Sequence, residues 1–163
     1  MNLTFFYADK QSMSEWLPQS FKILWDNMNR ILPTGNDYAT DENFYMTHAA
    51  PTISTPERRV ILIHDGDLLV GYLQYTLREK VLFLEDLQIQ DIYQGKGVLR
   101  LLFRWLIAGL PNHLELVELL CAKDNTRAMA IYEHWGMKII GINKNGVSYH
   151  YQMAYPLFAE RYS

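Results

Sequence analysis

A short glycine-containing stretch, YQGKGVL at residues 93–99, separates two apolar runs of the sequence. The run before it, VLFLEDLQI, is typical of a strand, and the run after it has apolar residues at helical spacing. Glycines at a strand-to-helix turn allow a tight bend and expose backbone N–H groups, to which the first turn of the helix adds its own. The stretch therefore predicts a site for a phosphate or pyrophosphate, with Lys96 adding positive charge. Taken alone, it is equally typical of a tight turn that binds nothing, because it forms neither a Walker A loop nor a G-x-G-x-x-G motif.

Two neighbouring carboxylates, Glu85 and Asp86, stand inside the apolar run that precedes this turn. Strand alternation places Glu85 on the same face as Phe83 and Leu87, unless a β-bulge changes the parity. A carboxylate on an apolar face is costly unless it is paired or used, and partial burial would raise its pKa towards the range of a general base. The alternative is that Glu85 or Asp86 forms an ion pair with Arg78 or another cation at the edge of the strand.

The glycine turn resembles the first of two core motifs of the GNAT superfamily of acyl-CoA-dependent N-acetyltransferases. In that family a strand runs into a loop with Gln or Arg at its start, Gly three residues later, and Gly or Ala two residues after that. Gln94, Gly97 and Leu99 occupy these three positions. Leu99 departs from the pattern, because a small residue is usual where the helix start approaches the cofactor. The resemblance covers residues 60–155, whereas the preceding part of the chain matches only in the order of its elements.

A second family motif follows in the stretch DNTRAMAIYEHWGM. Asn125, Ala128, Tyr132 and the pair Gly136-Met137 match it without a gap. The first three fall at i, i+3 and i+7, so they lie on one helix face and can line the same groove. Without the motif, Tyr132 would be more typical of a core tyrosine with its hydroxyl at the surface.

The resemblance implies a binding site for acetyl-CoA that is built mostly from main chain. The strand backbone at Leu87, Gln88 and Ile89 would pair with the pantetheine amides as an added strand does, and one of its N–H groups could stabilise the thioester oxyanion. Asn125 and Tyr132 would line the same cofactor groove. The pyrophosphate would bind the backbone N–H groups of Gln94, Gly95, Lys96, Gly97, Val98 and Leu99.

The resemblance also implies the reaction. In such enzymes an amine attacks the thioester directly in a ternary complex, so Glu85 is predicted to act as general base, directly or through a water, and Tyr132 as general acid for the departing thiolate. A base is needed because alkylammonium groups lose their proton only near pH ~10. We therefore predict an N-acetyltransferase that acts on a primary amine of a small molecule or peptide. Two alternatives stay open: a catalytically inactive acyl-CoA-binding sensor or partner module, favoured by Leu99, and a nucleotide-phosphate-binding domain.

The elements that position these residues follow from hydrophobic periodicity and turn signals. Residues 34–58 are polar and interrupted by prolines, which predicts a loop with room for one short helix. We predict an α/β protein with one N-acetyltransferase domain over residues 1–163, GNAT-like, with a mixed, mostly antiparallel central sheet flanked by helices. The predicted order is a strand at 3–8, a helix at 12–32, the loop, three antiparallel strands within 59–89, a helix from 98, a strand at 114–122, a helix at 124–136 and a closing hairpin at 137–155.

Two further groups of side chains have both a structural and a functional interpretation. Sheet packing is predicted for the tyrosines that alternate on the last strand, Tyr149, Tyr151 and Tyr155. Asp37, Asp41, Glu42 and Tyr45 lie in the predicted loop and could form a lid over the acceptor. We favour the alternative, an ordinary solvated loop.

Composition and charge disfavour several other classes of protein. The formal net charge of −3 gives no basic surface for nucleic acid, and no apolar run approaches membrane-spanning length. The five histidines lack the spacing of a metal site, so no metal is expected. The single cysteine, Cys121, fits a reducing cytoplasm. We expect a cytoplasmic protein, and its closing hairpin offers a surface for pairing in a homodimer.

Overall fold

Seven strands and six α-helices make up the chain, and the computed structural model describes all 163 residues. The strands are β1 (Leu3–Tyr7), β2 (Arg59–Asp65), β3 (Leu68–Arg78), β4 (Val81–Ile89), β5 (Leu116–Ala122), β6 (Lys138–Ile142) and β7 (Ser148–Ala154). The helices are α1 (Met13–Ile31), α2 (Tyr38–His48), α3 (Ala50–Ile53), α4 (Val98–Gly109), α5 (Thr126–Trp135) and α6 (Tyr155–Tyr162).

One seven-stranded sheet contains all the strands, in the order β1-β2-β3-β4-β5-β7-β6. β1 pairs antiparallel with β2, and β7 pairs antiparallel with both β5 and β6. β4 and β5 are parallel, with Val81 opposite Leu116, and α4 connects them. The predicted mixed, mostly antiparallel α/β sheet with a strand-helix-strand unit in its middle is therefore confirmed.

The chain divides into two compact units. The first unit contains residues 1–74 and 86–98, and the second contains residues 75–85 and 99–163. β3 and β4 contribute residues to both units. The assignment of residues 1–163 to one N-acetyltransferase domain stays a prediction.

The core of the first unit forms where α1 packs on strands β2 and β3. Periodic apolar residues predict α1, and Trp16, Leu17 and Ile23 are buried as that periodicity requires. They belong to the same apolar cluster as Leu62 and Tyr72 of the strands. Burying such side chains contributes about 1.5–3 kcal/mol each to folding, so this contact fixes α1 against the sheet.

Residues 34–58 are largely helical, so the prediction of a loop there is wrong. α2 begins after Asp37, whose side chain caps the helix by accepting a hydrogen bond from the Thr40 backbone N–H (2.8 Å). α3 has Pro51 in its first turn, where a proline costs no intrahelical hydrogen bond. No side chain of α2 is fully buried, so the helix carries no clear apolar periodicity for sequence analysis to detect.

An aromatic cluster forms the core of the second unit and joins three of its helices. The ring of Phe103 on α4 lies 5.2 Å from Trp135 of α5, and 5.0 and 5.1 Å from Phe158 and Tyr162 of α6. α6 itself is missing from the predicted order of elements. β7 ends at Ala154, so Tyr155 belongs to this helix and not to the last strand as predicted.

Strands β6 and β7 form the predicted closing hairpin in the second unit. Ile139 lies opposite Tyr151, and the pairing is irregular between Ile139 and Gly141. The turn between the strands contains Gly146 at φ +73°, a left-handed conformation that favours glycine. Among the helices of the whole chain, none is both long enough and apolar enough to cross a membrane.

Candidate active site

The glycine turn of the first unit has the conformation that an anion-binding loop requires. Gly95 and Gly97 have φ values of +76° and +82°, which residues with a Cβ rarely adopt. A Cβ built on either glycine meets no atom within 4 Å, so the space beside the loop is open. α4 begins at Val98, directly after the turn, and has no acidic residue in its first turn. An open glycine loop that leads into a helix N-terminus is typical of anion-binding turns.

Side-chain hydrogen bonds fasten this loop to the end of β4. The Gln94 side-chain amide donates to the Ile89 carbonyl (2.9 Å), and the Asn27 side-chain amide donates to the same oxygen (3.0 Å). Tyr93, just before the turn, donates its hydroxyl hydrogen to Asp65 Oδ2 (2.8 Å). The first residue of the family motif, Gln94, therefore helps to set the shape of the loop through its side chain.

The residues around the start of α4 differ in their solvent exposure. Lys96 is exposed, and its ammonium lies 6.0 Å from the centroid of the Tyr93 ring. Val98 is buried in the core, whereas Leu99, the second residue of α4, is partly exposed. Leu99 thus places an apolar side chain near the surface at the position where the family usually has a small residue.

Asp86 is the centre of a hydrogen-bond network in the first unit. The Tyr72 hydroxyl donates to Asp86 Oδ2 (2.7 Å), and the Gln88 side-chain amide donates to Asp86 Oδ1 (3.0 Å). Asn27 of α1 in turn donates to Gln88 Oε1 (3.0 Å). Burial raises the pKa of Asp86 above its usual value, although these hydrogen bonds lower it in part. Sequence analysis assigned the role of base to Glu85 and considered an ion pair for Asp86, but it did not predict this network.

A second part of this network involves Tyr45 of α2. Burial, followed by the charge of Asp86, raises the pKa of Tyr45 to about 12. Arg58 donates to Gln74 Oε1 (2.9 Å), and both residues interact with Tyr45. Tyr45 therefore lies among polar groups of the first unit and not in a solvated loop.

The acidic residues that accompany Tyr45 in the sequence have structural roles. Asp37 caps α2, and Asp41 accepts a hydrogen bond from the Trp25 indole N–H (2.9 Å). Hydrogen bonds to Thr34 and Trp25 hold the pKa of Asp41 below its usual value. Glu42 interacts with Tyr38, whose pKa rises to about 12, mainly because the phenol is desolvated.

Glu85 lies in the second unit, where its carboxylate has a cationic partner. Glu85 Oε1 accepts hydrogen bonds from the Thr76 hydroxyl (2.9 Å) and the Arg78 guanidinium (3.0 Å), and the side chain is 14% exposed. The same guanidinium lies over the Phe83 ring, 4.1 Å from its centroid. Because Arg78 contacts both, Phe83 and Glu85 share a side of β4, as alternation predicts. The ion pair with Arg78 considered above is formed, and the role of Glu85 as base stays a prediction.

Two residues of the second family motif define the ends of α5. The Asn125 side chain accepts a hydrogen bond from the Ala128 backbone N–H (3.1 Å) and so caps the start of the helix. Gly136 ends it at φ +97°, and the Met137 N–H bonds back to the Tyr132 carbonyl (3.0 Å). Asn125 and Gly136 of the second motif therefore determine where α5 begins and ends.

Tyr132 is partly buried between aromatic neighbours of the second unit. Its ring centroid lies 5.2 Å from that of Trp135 and 5.7 Å from that of Tyr151. Trp135 is buried, whereas Ile131, the residue before Tyr132, is 39% exposed. These contacts fix the plane of the Tyr132 ring.

Other reactive side chains offer no competing site. Burial raises the pKa of the Cys121 thiol to about 11, so the thiol is protonated at neutral pH and is a poor nucleophile. The structure contains no group of three or more His, Cys, Asp or Glu residues arranged to hold a metal ion.

Comparison with known proteins links these features to a family. The profile of the acetyltransferase (GNAT) family matches residues 12–137. An acetyltransferase from Thermus thermophilus is similar in fold, with TM-score 0.73 and 20% identity over 94% of this chain and 97% of that one. PaiA N-acetyltransferase from Thermoplasma acidophilum, in complex with coenzyme A, has TM-score 0.75 and 13% identity, over 95% of this chain and 100% of that one. Spermidine N-acetyltransferase from Vibrio cholerae, in complex with CoA and spermine, has TM-score 0.59 and 16% identity, over 96% of this chain and 97% of that one. No curated protein sequence matches the chain significantly.

The family profile spans both the glycine turn and the α5 motif, and the solved structures share the sheet. At such low identities the structural likeness shows the fold alone, whereas the profile match identifies the family. The predicted fold and enzyme class, and acetyl-CoA as the cosubstrate, are therefore confirmed. The chain belongs to the acetyltransferase (GNAT) family.

Proposed function

We propose that the protein transfers an acetyl group from acetyl-CoA to a primary amine of a small molecule or peptide, by direct attack in a ternary complex. The observation that carries this proposal is the open glycine turn at Gly95 and Gly97, which leads directly into α4. Spermidine N-acetyltransferase from Vibrio cholerae, which shares the fold, was determined with spermine, a small amine. We place the reaction in the cytoplasm, in keeping with a single buried cysteine.

Coenzyme A is assigned to main-chain groups of this chain. The backbone of Leu87, Gln88 and Ile89 pairs with the pantetheine amides, and the N–H groups of residues 94–99 hold the pyrophosphate. This assignment agrees with the Gln94 and Asn27 hydrogen bonds, which keep the end of β4 and the loop in a fixed relation. A rigid loop loses little conformational entropy when an anion binds.

The proton transfers are assigned to Glu85 and Tyr132. Glu85 removes a proton from the acceptor nitrogen, directly or through a water, while Thr76 and Arg78 hold its carboxylate in one orientation. Tyr132, next to Asn125 on the cofactor face of α5, donates a proton to the departing thiolate. Phenols ionise near pH ~10, so such a donor is protonated at neutral pH.

Thiol release from acetyl-CoA tests this function across polyamines, amino acids, aminoglycosides and N-terminal peptides. Glu85→Gln and Tyr132→Phe are each expected to lower kcat by about 100-fold or more, because general acid–base catalysis contributes about 10²–10⁴-fold. Glu115→Gln is the matched control for the first variant, since Glu115 is an exposed carboxylate paired only at the surface with Lys80. Full activity of both active-site variants would contradict the assigned roles.

Calorimetry with acetyl-CoA separates this enzyme from the inactive alternative. If acetyl-CoA binds and no acceptor in the panel is turned over, the result favours a sensor module, in which Leu99 has altered the helix start. If acetyl-CoA does not bind, the proposed function is wrong.

A further inference from the structure

Asn27 is a buried polar side chain inside α1, a helix whose other buried residues are mostly apolar. Asparagine is less favourable than alanine inside a helix, and a buried amide costs free energy unless it is hydrogen-bonded. The Asn27 side-chain amide donates to two acceptors outside the helix, the Ile89 carbonyl (3.0 Å) and Gln88 Oε1 (3.0 Å). Asn27 therefore connects α1 to the end of β4, just before the glycine turn.

Arg30, one turn further along α1, determines which way the Asn27 amide points. Its guanidinium donates a hydrogen bond to Asn27 Oδ1, and a guanidinium can only donate. The oxygen of the amide therefore faces Arg30, and its nitrogen faces β4. A guanidinium nitrogen of Arg30 also lies 3.7 Å from Asp91 Oδ1, in the segment that leads into the glycine turn. One side of α1 thus contacts both the end of β4 and the start of this segment.

The Ile89 carbonyl oxygen has both of its lone pairs occupied within the protein. A backbone carbonyl has two lone pairs, and the side-chain amides of Asn27 and Gln94 donate to this one from α1 and from the glycine turn. In the proposed pairing with pantetheine, Ile89 can therefore take part only through its N–H group. The carbonyl instead joins three elements, the helix, the strand end and the turn.

α1 can act as a fixed support for this junction because its apolar side is held in the core of the first unit. Ile23, four residues before Asn27 and therefore on the same side of the helix, belongs to that core. The turn has less support of its own, since a Cβ built at Gly95 or Gly97 meets no atom within 4 Å. A turn that is held in one conformation before binding loses less conformational entropy when its N–H groups bind an anion.

We propose that Asn27 is a positioning residue for acetyl-CoA, which holds the Ile89 carbonyl and, together with Gln94, fixes the end of β4 against the glycine turn before the cofactor binds. This inference rests on the proposed function and adds to it a residue of α1, outside the two family motifs. Asn27 acts through the Ile89 carbonyl and not on the reacting atoms. Its loss should therefore weaken cofactor binding and leave the chemical step unchanged.

Asn27→Leu tests this role, because leucine is of similar size, has no hydrogen-bonding group and leaves the charge of the site unchanged. The Kd for acetyl-CoA, measured by calorimetry, is expected to rise about 2- to 12-fold, the usual net worth of a hydrogen bond. Asn29→Leu is the matched control, since it makes the same change at a partly exposed position of the same helix and should alter this Kd less than about twofold. If thermal melting shows that Asn27→Leu is unfolded, Asn27→Ala replaces it, because alanine is the most favourable helix residue.

Steady-state kinetics supply a readout that a general loss of structure would not produce. In Asn27→Leu the KM for acetyl-CoA should rise, whereas kcat and the KM for the amine should change less than about twofold. A rise of both KM values together with a fall of kcat would show that Asn27 only supports the fold, and would overturn the inference.

Gln94→Ala gives an independent test, since Gln94 donates to the same oxygen as Asn27. With either donor in place the Ile89 carbonyl stays held, so the double variant should raise the Kd for acetyl-CoA by more than the product of the two single factors. A purely multiplicative effect would contradict action through this shared oxygen. If the wild type binds acetyl-CoA and Asn27→Leu binds it equally well, the inference is wrong and the proposed function stands. If the wild type does not bind it, both are wrong.

Discussion

Gly97→Ala is the sharpest test of the glycine turn, because its cost can be derived from the backbone alone. Gly97 has φ +82°, and a Cβ at this position would meet no atom within 4 Å. The cost is therefore conformational and not steric, about 1–2 kcal/mol for a residue with a Cβ in the left-handed region. For a domain of this size each kcal/mol lowers Tm by about 2–4 °C, so Tm should fall by about 2–8 °C.

Gly109→Ala is the control for this variant, since it makes the same chemical change at the other end of the same helix. Gly109 is the last residue of α4, has no left-handed φ, and has no atom within 4 Å of a built Cβ. Alanine there should raise stability by up to about 1 kcal/mol. Thermal unfolding and acetyl-CoA titration are measured for both variants. If Gly97→Ala melts at or above the wild-type temperature and binds acetyl-CoA equally well, the account of the turn is wrong.

Three further predictions concern the second unit. Asn125→Ala removes the cap of α5 and should lower the free energy of unfolding, measured by urea denaturation, by about 0.5–2 kcal/mol. Asn125→Asp keeps a capping oxygen and should retain most of the wild-type stability. Phe158→Ala opens a cavity beside Phe103 and should cost about 3–5 kcal/mol by the same assay, so a loss below about 1 kcal/mol would contradict the burial of Phe158. Cys121, with its pKa raised to about 11 and only 5% of its surface exposed, should react with a chromogenic thiol reagent only after denaturation. Rapid labelling of the native protein would show that this thiol is accessible.

Elements with strong local signals were predictable from the sequence. The step from β4 to α4 is marked by Gly95 and Gly97, whose left-handed backbone few other residues adopt. α5 is marked by its cap, Asn125, and by Gly136 at its end. At such positions one residue type determines the local backbone, so no knowledge of tertiary contacts is needed.

The errors fall where tertiary packing determines the structure. α2 has no fully buried side chain, and its apolar residues therefore show no helical period. α6 follows β7 without a turn residue, so Tyr155 could be read as continuing the alternation of Tyr149 and Tyr151. The true partners of α6, Phe103 and Trp135, are distant in the sequence. Local periodicity cannot reveal contacts of this kind.

The adjacent carboxylates show the same limit at the candidate site. In the sequence, Glu85 and Asp86 are two acidic residues of one strand, and either can be assigned as base, ligand or ion-pair partner. In the structure Glu85 bonds to a guanidinium, whereas Asp86 accepts hydrogen bonds from the Tyr72 hydroxyl, the Gln88 side-chain amide and the Leu87 backbone. The carboxylate of Glu85 thus has a cation bonded to it, whereas burial raises the pKa of Asp86 although its hydrogen bonds lower it in part. The neighbouring strand β3 supplies Thr76 and Arg78 to Glu85 and Tyr72 to Asp86, and no signal within β4 itself predicts these partners.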